Sequence, residues 1–207
     1  TLTEDQNVIA GQTVVLAVNA TGSQPMTYVW KRDGALIDGQ TGASLTLPDI
    51  AGTDAGVYSV VIRNSAGLTE SDGVTVSVVQ PVSIASQPED ATVVLGGSTL
   101  FQVAATGTEP ITYQWSQDGV AIADATESML TLTTVEASTA GDYKVTVTNA
   151  AGSLDSDAVT LTVESPPTIT QLTESMSLVE GDSVELSVTA VGTAPITYQW
   201  SKGGVAL

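Results

Sequence analysis

The chain has 207 residues, of which 42% are hydrophobic and 4% aromatic, and its 23 acidic residues against 5 basic ones give a net charge of −18. This charge disfavours nucleic acids and anionic membrane surfaces as partners, because both bind through Lys and Arg. The sequence has no Cys and no His, which excludes thiol chemistry, His-based triads and Cys/His metal sites, and no apolar run is long enough to span a bilayer.

The segment 1–80 predicts a succession of short β-strands. Its apolar stretches are rich in β-branched residues, and Gly, Asp and Pro separate them. Asp33-Gly34 is a tight-turn signal shortly after Trp30. The predicted strands are Thr13–Ala20, 26–31, Ala43–Leu47, Val57–Asn64 and Val74–Val79. Strands of this length and spacing indicate an antiparallel β-sandwich.

The remainder of the chain repeats this unit. Trp30, Trp115 and Trp200 follow one another at one constant interval, and the heptapeptide PITYQWS occurs at 110–116 and again, at the same interval, at 195–201. The pattern predicts a tandem array, with repeat 1 at 1–80, repeat 2 at 81–165 and the first half of repeat 3 at 166–207. We expect the natural chain to continue beyond this half repeat, or strands donated by another chain to complete it.

Three motifs carry a family resemblance. They are L-x-V-x-A-x-G (16–22), the tryptophan at 30, and D-A-G-V-Y-S-V (54–60) followed by N-S-A-G, and repeat 2 has their counterparts. The unit resembles immunoglobulin-like domains of the I-set or bacterial kind. The resemblance implies an all-β fold class of tandem immunoglobulin-like antiparallel β-sandwiches, with the third unit incomplete.

The resemblance also implies the core. Valine pairs stand where antibody-type domains place a cysteine pair, and a tyrosine stands two residues before the second valine of each pair, as a tyrosine-corner residue would. Packing against the tryptophan thus replaces the disulfide, which suits a bacterial or phage-type protein. The expected core residues are Trp30, Trp115, Trp200, Val18, Val60, Val103, Val145, Tyr58 and Tyr143.

Acidic residues that recur in register are the only candidates for a metal site. Glu89 and Asp90 follow a linker, and Asp155 and Asp157 stand two apart near the last strand of repeat 2. Calcium prefers several such oxygen ligands. The alternative is a charged strand edge that prevents strand pairing, or a solvated strand face. The counterparts of the second pair in repeat 1, Glu70 and Asp72, stand an even number of residues before the core valine Val74, so a regular strand would point them into the core. A β-bulge near Gly73 is needed to return them to solvent.

The favoured function is a structural one. An array of sandwiches of equal length is a spacer that projects something from a surface, within a surface protein or an adhesin, or forms a fibre. Short linkers containing Pro favour an extended array. We expect no catalysis, no required cofactor, an extracellular, cell-surface or phage-particle location, and partners that are neighbouring repeats of the same or an adjacent chain, besides an unidentified host or surface ligand. The alternatives are a carbohydrate- or protein-binding accessory module of a larger secreted protein, and a filament subunit completed by strand donation.

Overall fold

The computed structural model describes residues 2–207. Its regular elements are β-strands and two short 3-10 helices, Gly52–Asp54 and Ala137–Thr139. The predicted all-β class is therefore confirmed. Within this described range, no helix has the length and apolar character needed to cross a membrane.

Repeat 1 forms a two-sheet sandwich. Its strands are β1 (Gln6–Ile9), β2 (Val14–Ala17), β3 (Thr27–Arg32), β4 (Ala35–Leu36), β5 (Ser44–Leu47), β6 (Gly56–Asn64), β7 (Gly67–Glu70) and β8 (Val74–Val79). The larger sheet has the order β1-β8-β6-β3-β4, with β7 also paired to β6, and β2 pairs with β5 in the second sheet. β1 runs parallel to β8, whereas the other pairs are antiparallel.

Repeat 2 has the same architecture with one additional strand pair. Its strands are β9 (Ser83–Ser86), β10 (Ala91–Val94), β11 (Thr99–Gln102), β12 (Ala104–Thr106), β13 (Thr112–Gln117), β14 (Val120–Ala121), β15 (Met129–Leu132), β16 (Gly141–Asn149), β17 (Gly152–Asp155) and β18 (Val159–Glu164). The larger sheet has the order β10-β18-β16-β13-β14, with β17 on β16. β11 pairs with β15, and β9 pairs with β12.

Repeat 3 contains two strand pairs. Its strands are β19 (Thr168–Leu172), β20 (Val188–Val191), β21 (Ser201–Lys202) and β22 (Val205–Ala206). β19 pairs with β20 and β21 with β22, both in the antiparallel sense.

Two compact units divide the chain in a different way from the repeats. The first unit runs through Ser86 and takes in Ala104–Tyr113 and Thr146–Asp155, and the second comprises Gln87–Val103, Gln114–Val145 and Ser156–Leu207. Repeat 2 is thus shared between the two units. The domain boundaries near residues 80 and 165 therefore stay a prediction.

A tryptophan forms the centre of each of the first two sandwiches. Trp30 on β3 lies opposite Val60 on β6, and its side chain is fully buried. Its indole Nε1 donates a hydrogen bond of 2.9 Å to the carbonyl of Gly42. Trp115 is likewise fully buried and donates at 2.9 Å to the carbonyl of Glu127. An indole N–H buried without a hydrogen-bond acceptor would be costly, so the carbonyl partner makes burial of the tryptophan favourable.

The two cores differ beside the tryptophan. Phe101 of repeat 2 stands where repeat 1 has Leu16, and both side chains are buried. The ring centroid of Phe101 lies 6.3 Å from that of Trp115 and 5.1 Å from that of Tyr143. Repeat 2 therefore has an aromatic cluster where repeat 1 has aliphatic packing.

Burial of the valines also differs between the repeats. Val60, Val103 and Val145 are buried, but Val18 is only partly buried and packs at the margin of the core. In repeat 2, β9 pairs with the strand that follows Val103. In repeat 1 a single bridge joins Leu2 to Val18.

Trp200 departs from the expected core. Its side chain is 38% exposed, and Tyr198 on the same segment is 54% exposed. Residues 166–207 contain no counterpart of β6, which carries Val60 opposite Trp30, or of β16. With only the β19–β20 pair beside it, the indole of Trp200 is incompletely covered.

The tyrosine corners form as the resemblance implied. Tyr58 and Tyr143 are buried, and their hydroxyl groups donate hydrogen bonds of 2.7 Å to the carbonyls of Asp54 and Thr139. Burial raises the pKa of both phenols above the usual value of 10.0. Each phenol therefore stays protonated and fixes the turn before strand β6 or β16.

The Asp-Gly pairs form tight turns, as predicted. Asp33 and Gly34 both have positive φ (50° and 80°) and join β3 to β4. The Oδ1 of Asp33 also accepts the backbone N–H of Val57 at 2.9 Å. A Cβ at Gly56 would lie 2.7 Å from the other oxygen of this carboxylate. The glycine before Val57 is thus required by the close approach of the turn aspartate.

The predicted β-bulge is present between β7 and β8. Glu70 pairs with Val61 and Val74 pairs with Tyr58, so the β7–β8 side carries one residue more than β6. Ser71 fills the break: its N–H donates to the carbonyl of Val60 at 3.0 Å, and its Oγ accepts the N–H of Val60 at 3.1 Å. The extra residue returns the acidic side chains to solvent while the valines of β8 remain in the core.

Replacement of Trp115 tests the importance of this core. We expect Trp115→Ala to lower the free energy of unfolding by ~3–5 kcal/mol, the usual cost of a large-to-small change at a buried site. Trp200→Ala is the matched control, because its partly exposed indole loses much less buried area and should cost under ~1.5 kcal/mol. Urea denaturation followed by circular dichroism measures both. Equal losses for the two variants would contradict this assignment of the core.

Candidate functional site

One pair of repeated acids, Asp5 and Asp90, lies directly before the first strand of each larger sheet. Asp90 immediately precedes β10, and its Oδ1 accepts the backbone N–H of Thr160 on β18 at 2.8 Å. Asp5, one repeat earlier, accepts the N–H of Thr75 on β8 at 2.7 Å. Each carboxylate therefore joins the first strand of the larger sheet to the last one. This use accounts for the recurrence of Asp at these positions without a metal ion.

The other calcium candidates have separate environments. Glu89 is exposed beside Asp90. The Oδ1 of Asp155 accepts the hydroxyl of Thr146 at 2.7 Å, and the backbone N–H of Asp157 donates to Gln87 at 3.0 Å. Across residues 2–207, no three acidic side chains come together as a metal site would require. The calcium hypothesis for Glu89, Asp90, Asp155 and Asp157 stays a prediction.

Two ion pairs of repeat 1 lie on its surface. The Nζ of Lys31 is 3.0 Å from Oε1 of Glu70, and Arg32 is 3.4 Å from Asp54. Hydrogen bonds from Lys31 and from the hydroxyl of Ser59 lower the pKa of Glu70. Because solvent screens such exposed pairs, they contribute little to stability.

The connection between repeats has a set of polar contacts that the sequence did not predict. The backbone N–H of Gln80 donates to Oγ1 of Thr108 at 2.7 Å, and its carbonyl accepts the N–H of Thr108 at 3.1 Å. Nδ2 of Asn149 donates to the same carbonyl at 2.7 Å. Three hydrogen bonds thus hold one residue of the linker, all of them within the first compact unit.

Asn149 owes this role to its position at the end of β16. Its side chain is 9% exposed, donates also to the carbonyl of Thr108 at 3.0 Å, and accepts the N–H of Ala151 at 2.9 Å. Its counterpart Asn64 accepts from Ala66 in the same way and donates to Ser23 at 3.2 Å. The asparagine of the N-x-A-G motif therefore shapes the β6–β7 or β16–β17 turn and, in repeat 2, also holds the linker.

The residues that form this junction recur in the sequence at the repeat interval. Thr193 follows Thr108 at the repeat interval, and Ser165 follows Gln80. The second pair repeats the first: Ser165 N–H donates to Oγ1 of Thr193 at 2.7 Å, and Thr193 N–H donates back to Ser165 at 2.9 Å. A recurring Thr beside Gly indicates a loop on composition alone, so only the structure shows its partner.

Comparisons with known proteins agree with this architecture. A family model described as "Immunoglobulin domain" matches residues 1–64 and 81–149. Hemicentin-1 of Mus musculus is 27% identical over 215 residues, which covers 97% of this chain and 4% of that protein. The basement membrane-specific heparan sulfate proteoglycan core protein of Mus musculus is 32% identical over 172 residues, which covers 79% of this chain and 5% of that protein.

A solved structure supports the fold. An I-band fragment of titin superposes with a TM-score of 0.81 at 24% sequence identity, covering 98% of this chain and 78% of that one. Identity at this level shows a shared fold alone. The chain spans between 4% and 16% of the length of the first three curated relatives, so it corresponds to a small part of each.

Substitution of Asp90 tests its structural role. We expect Asp90→Ala to lower the free energy of unfolding by ~1.5–3 kcal/mol, because the N–H of Thr160 loses a charged acceptor. Glu89→Ala, at the adjacent exposed position, is the matched control and should change it by no more than ~0.5 kcal/mol. Chemical denaturation of both variants measures the difference. If the two variants lose the same stability, the carboxylate of Asp90 does not hold β10 to β18.

A melting experiment tests the calcium hypothesis. A calcium ion bound by the native state would raise the melting temperature by mass action, and magnesium would raise it less. The measurement compares melting in millimolar CaCl₂, in MgCl₂ and in EDTA at matched ionic strength. A melting temperature that is the same in all three solutions would remove calcium as a ligand of Glu89, Asp90, Asp155 and Asp157.

Proposed function

Because this chain belongs to the immunoglobulin-domain family, we propose that it is a spacer segment of an extracellular protein, in which repeated sandwiches set a distance and carry no chemistry of their own. The role requires many copies of one stable unit, joined in a reproducible way. No catalysis and no cofactor are part of this proposal.

The recurrence of the junction carries the proposal. The same backbone and hydroxyl hydrogen bonds hold Gln80 to Thr108 and, one repeat later, Ser165 to Thr193. A binding module needs one differentiated surface, whereas a spacer needs every connection to be alike. Identical connections in successive repeats therefore support the spacer over the accessory binding module.

The surface charge supports the same role. The net charge of −18 is spread over all three repeats. Like charge on neighbouring molecules and on neighbouring repeats opposes their association. The partners that we propose are the adjoining repeats of the same or an adjacent chain, besides a surface ligand of unknown identity.

The relatives support an extracellular or cell-surface location. Their names include a basement membrane proteoglycan core protein and a cell adhesion molecule, DSCAML1 of Homo sapiens. Such proteins commonly use disulfides, because their surroundings are oxidising. The absence of Cys from this chain fits the finer proposal of a bacterial-type or phage-type variant, in which valines at 18, 60, 103 and 145 replace the cysteines.

Scattering from arrays of different length tests the spacer role. We expect proteins made of two, three and four copies of residues 81–165 to gain at least ~30 Å in maximum dimension per copy, about the diameter of a compact domain of this size. Small-angle X-ray scattering measures this dimension, and Ser165 at the end of each copy preserves the junction with Thr108 of the next. A dimension that grows only as the cube root of copy number would contradict the spacer role.

A further inference from the structure

One peptide group connects repeat 1 to repeat 2, and both of its polar atoms are hydrogen-bonded. The carbonyl of Val79, the last residue of β8, accepts the N–H of Ala10 at 2.9 Å. The N–H of the same peptide group, which belongs to Gln80, donates to Oγ1 of Thr108 at 2.7 Å. Repeat 1 thus holds the carbonyl and repeat 2 holds the N–H.

The next connection repeats this arrangement. The carbonyl of Glu164, the last residue of β18, accepts the N–H of Leu95 at 2.7 Å, and the N–H of Ser165 donates to Oγ1 of Thr193 at 2.7 Å. The first set of contacts lies within one compact unit and the second set within the other. Each residue of the second set follows its counterpart by the repeat interval.

The planarity of the peptide group gives this arrangement its consequence. No rotatable bond lies between the carbonyl oxygen and the N–H of one peptide unit, because the C–N bond has partial double-bond character. A linker that begins and ends within a single planar group therefore has no free torsion. Ordinary flexible linkers have two free torsions at each residue, and their ends separate and reorient accordingly.

We infer that the hydroxyl groups of Thr108 and Thr193 set the stiffness of the connections between repeats. This inference rests on the proposed spacer role and assigns the residues that control it. Thr108 is suited to the task because it makes two bonds to one residue, accepting the N–H of Gln80 through Oγ1 and donating its own N–H to the carbonyl. Without the hydroxyl, repeat 2 holds Gln80 only through its carbonyl, which accepts from Thr108 and Asn149. The N–Cα and Cα–C bonds of Gln80 then lie between the group held by repeat 1 and the group held by repeat 2.

A distance measurement across the first connection tests the inference. The chain has no Cys, so Thr46→Cys and Thr131→Cys give a uniquely spin-labelled protein, with both labels on exposed sites of strands β5 and β15. Double electron–electron resonance then reports the distribution of distances between them. We expect a single narrow distribution for the parent protein, and about a twofold greater width when Thr108→Val is added.

Three further variants make the result specific. Thr108→Ser keeps the hydroxyl and should keep the narrow distribution. Thr162→Val removes a hydroxyl from an exposed site of β18 and should leave the width unchanged. A glycine inserted between Val79 and Gln80 separates the two bonded groups by rotatable bonds, and should broaden the distribution even if Thr108→Val fails to fold.

Each outcome decides the question. A parent distribution as broad as that of the glycine insertion would overturn the inference, and so would an unchanged width in folded Thr108→Val, whatever its melting temperature. A flexible connection would leave the spacer role standing, because scattering would still show growth with every added repeat. Compact arrays in the scattering experiment, by contrast, would remove the spacer role whatever the spin-label widths.

Discussion

Burial of one indole between two sheets is the interaction on which each of the first two sandwiches depends. A buried Trp side chain removes about 150–250 Å² from water, which at ~25 cal/mol/Å² stabilises the fold by roughly 4–6 kcal/mol. A disulfide at the same place contributes ~2–5 kcal/mol. Trp30 and Trp115 therefore suffice without a covalent bond, provided that their Nε1 atoms keep the carbonyl partners at Gly42 and Glu127.

Where the strands that cover the indole are absent, the sequence pattern alone misleads. Trp200 has the same heptapeptide context as Trp115, yet it is exposed. Burial depends on the strands that face a residue, and the local sequence does not contain them.

The constant repeat interval, the β-strand pattern and the tyrosine corner predicted the fold class from the sequence, because they depend on side-chain spacing. The sequence could not predict the parallel pairing of β1 with β8, since Gln6–Ile9 has little alternation and becomes a strand through its partner. It also could not show that Asp90 accepts the backbone N–H of Thr160, on a strand far along the chain. An acid that ends a linker and an acid that joins two strands have the same sequence signature.

Side-chain oxygens replace ladder hydrogen bonds at each interruption of the larger sheet. Ser71 fills the bulge before β8, and Asp33 binds the backbone where the β3–β4 turn meets β6. Thr108 does the same at the linker. An unpaired backbone N–H costs more than the net gain of an ordinary hydrogen bond. Short polar side chains at these few sites therefore allow the sheet to change register without losing stability.

The single-peptide connection also has a consequence for how such an array evolves. A segment one repeat long, copied from any starting point, regenerates the same connection, because the residues on both sides recur at the repeat interval. Unequal recombination between repeats can thus lengthen or shorten the array without a new linker. An insertion of even one residue between Val79 and Gln80 would separate the two bonded groups. An array that depends on this connection can therefore change its length by whole repeats but not at this peptide.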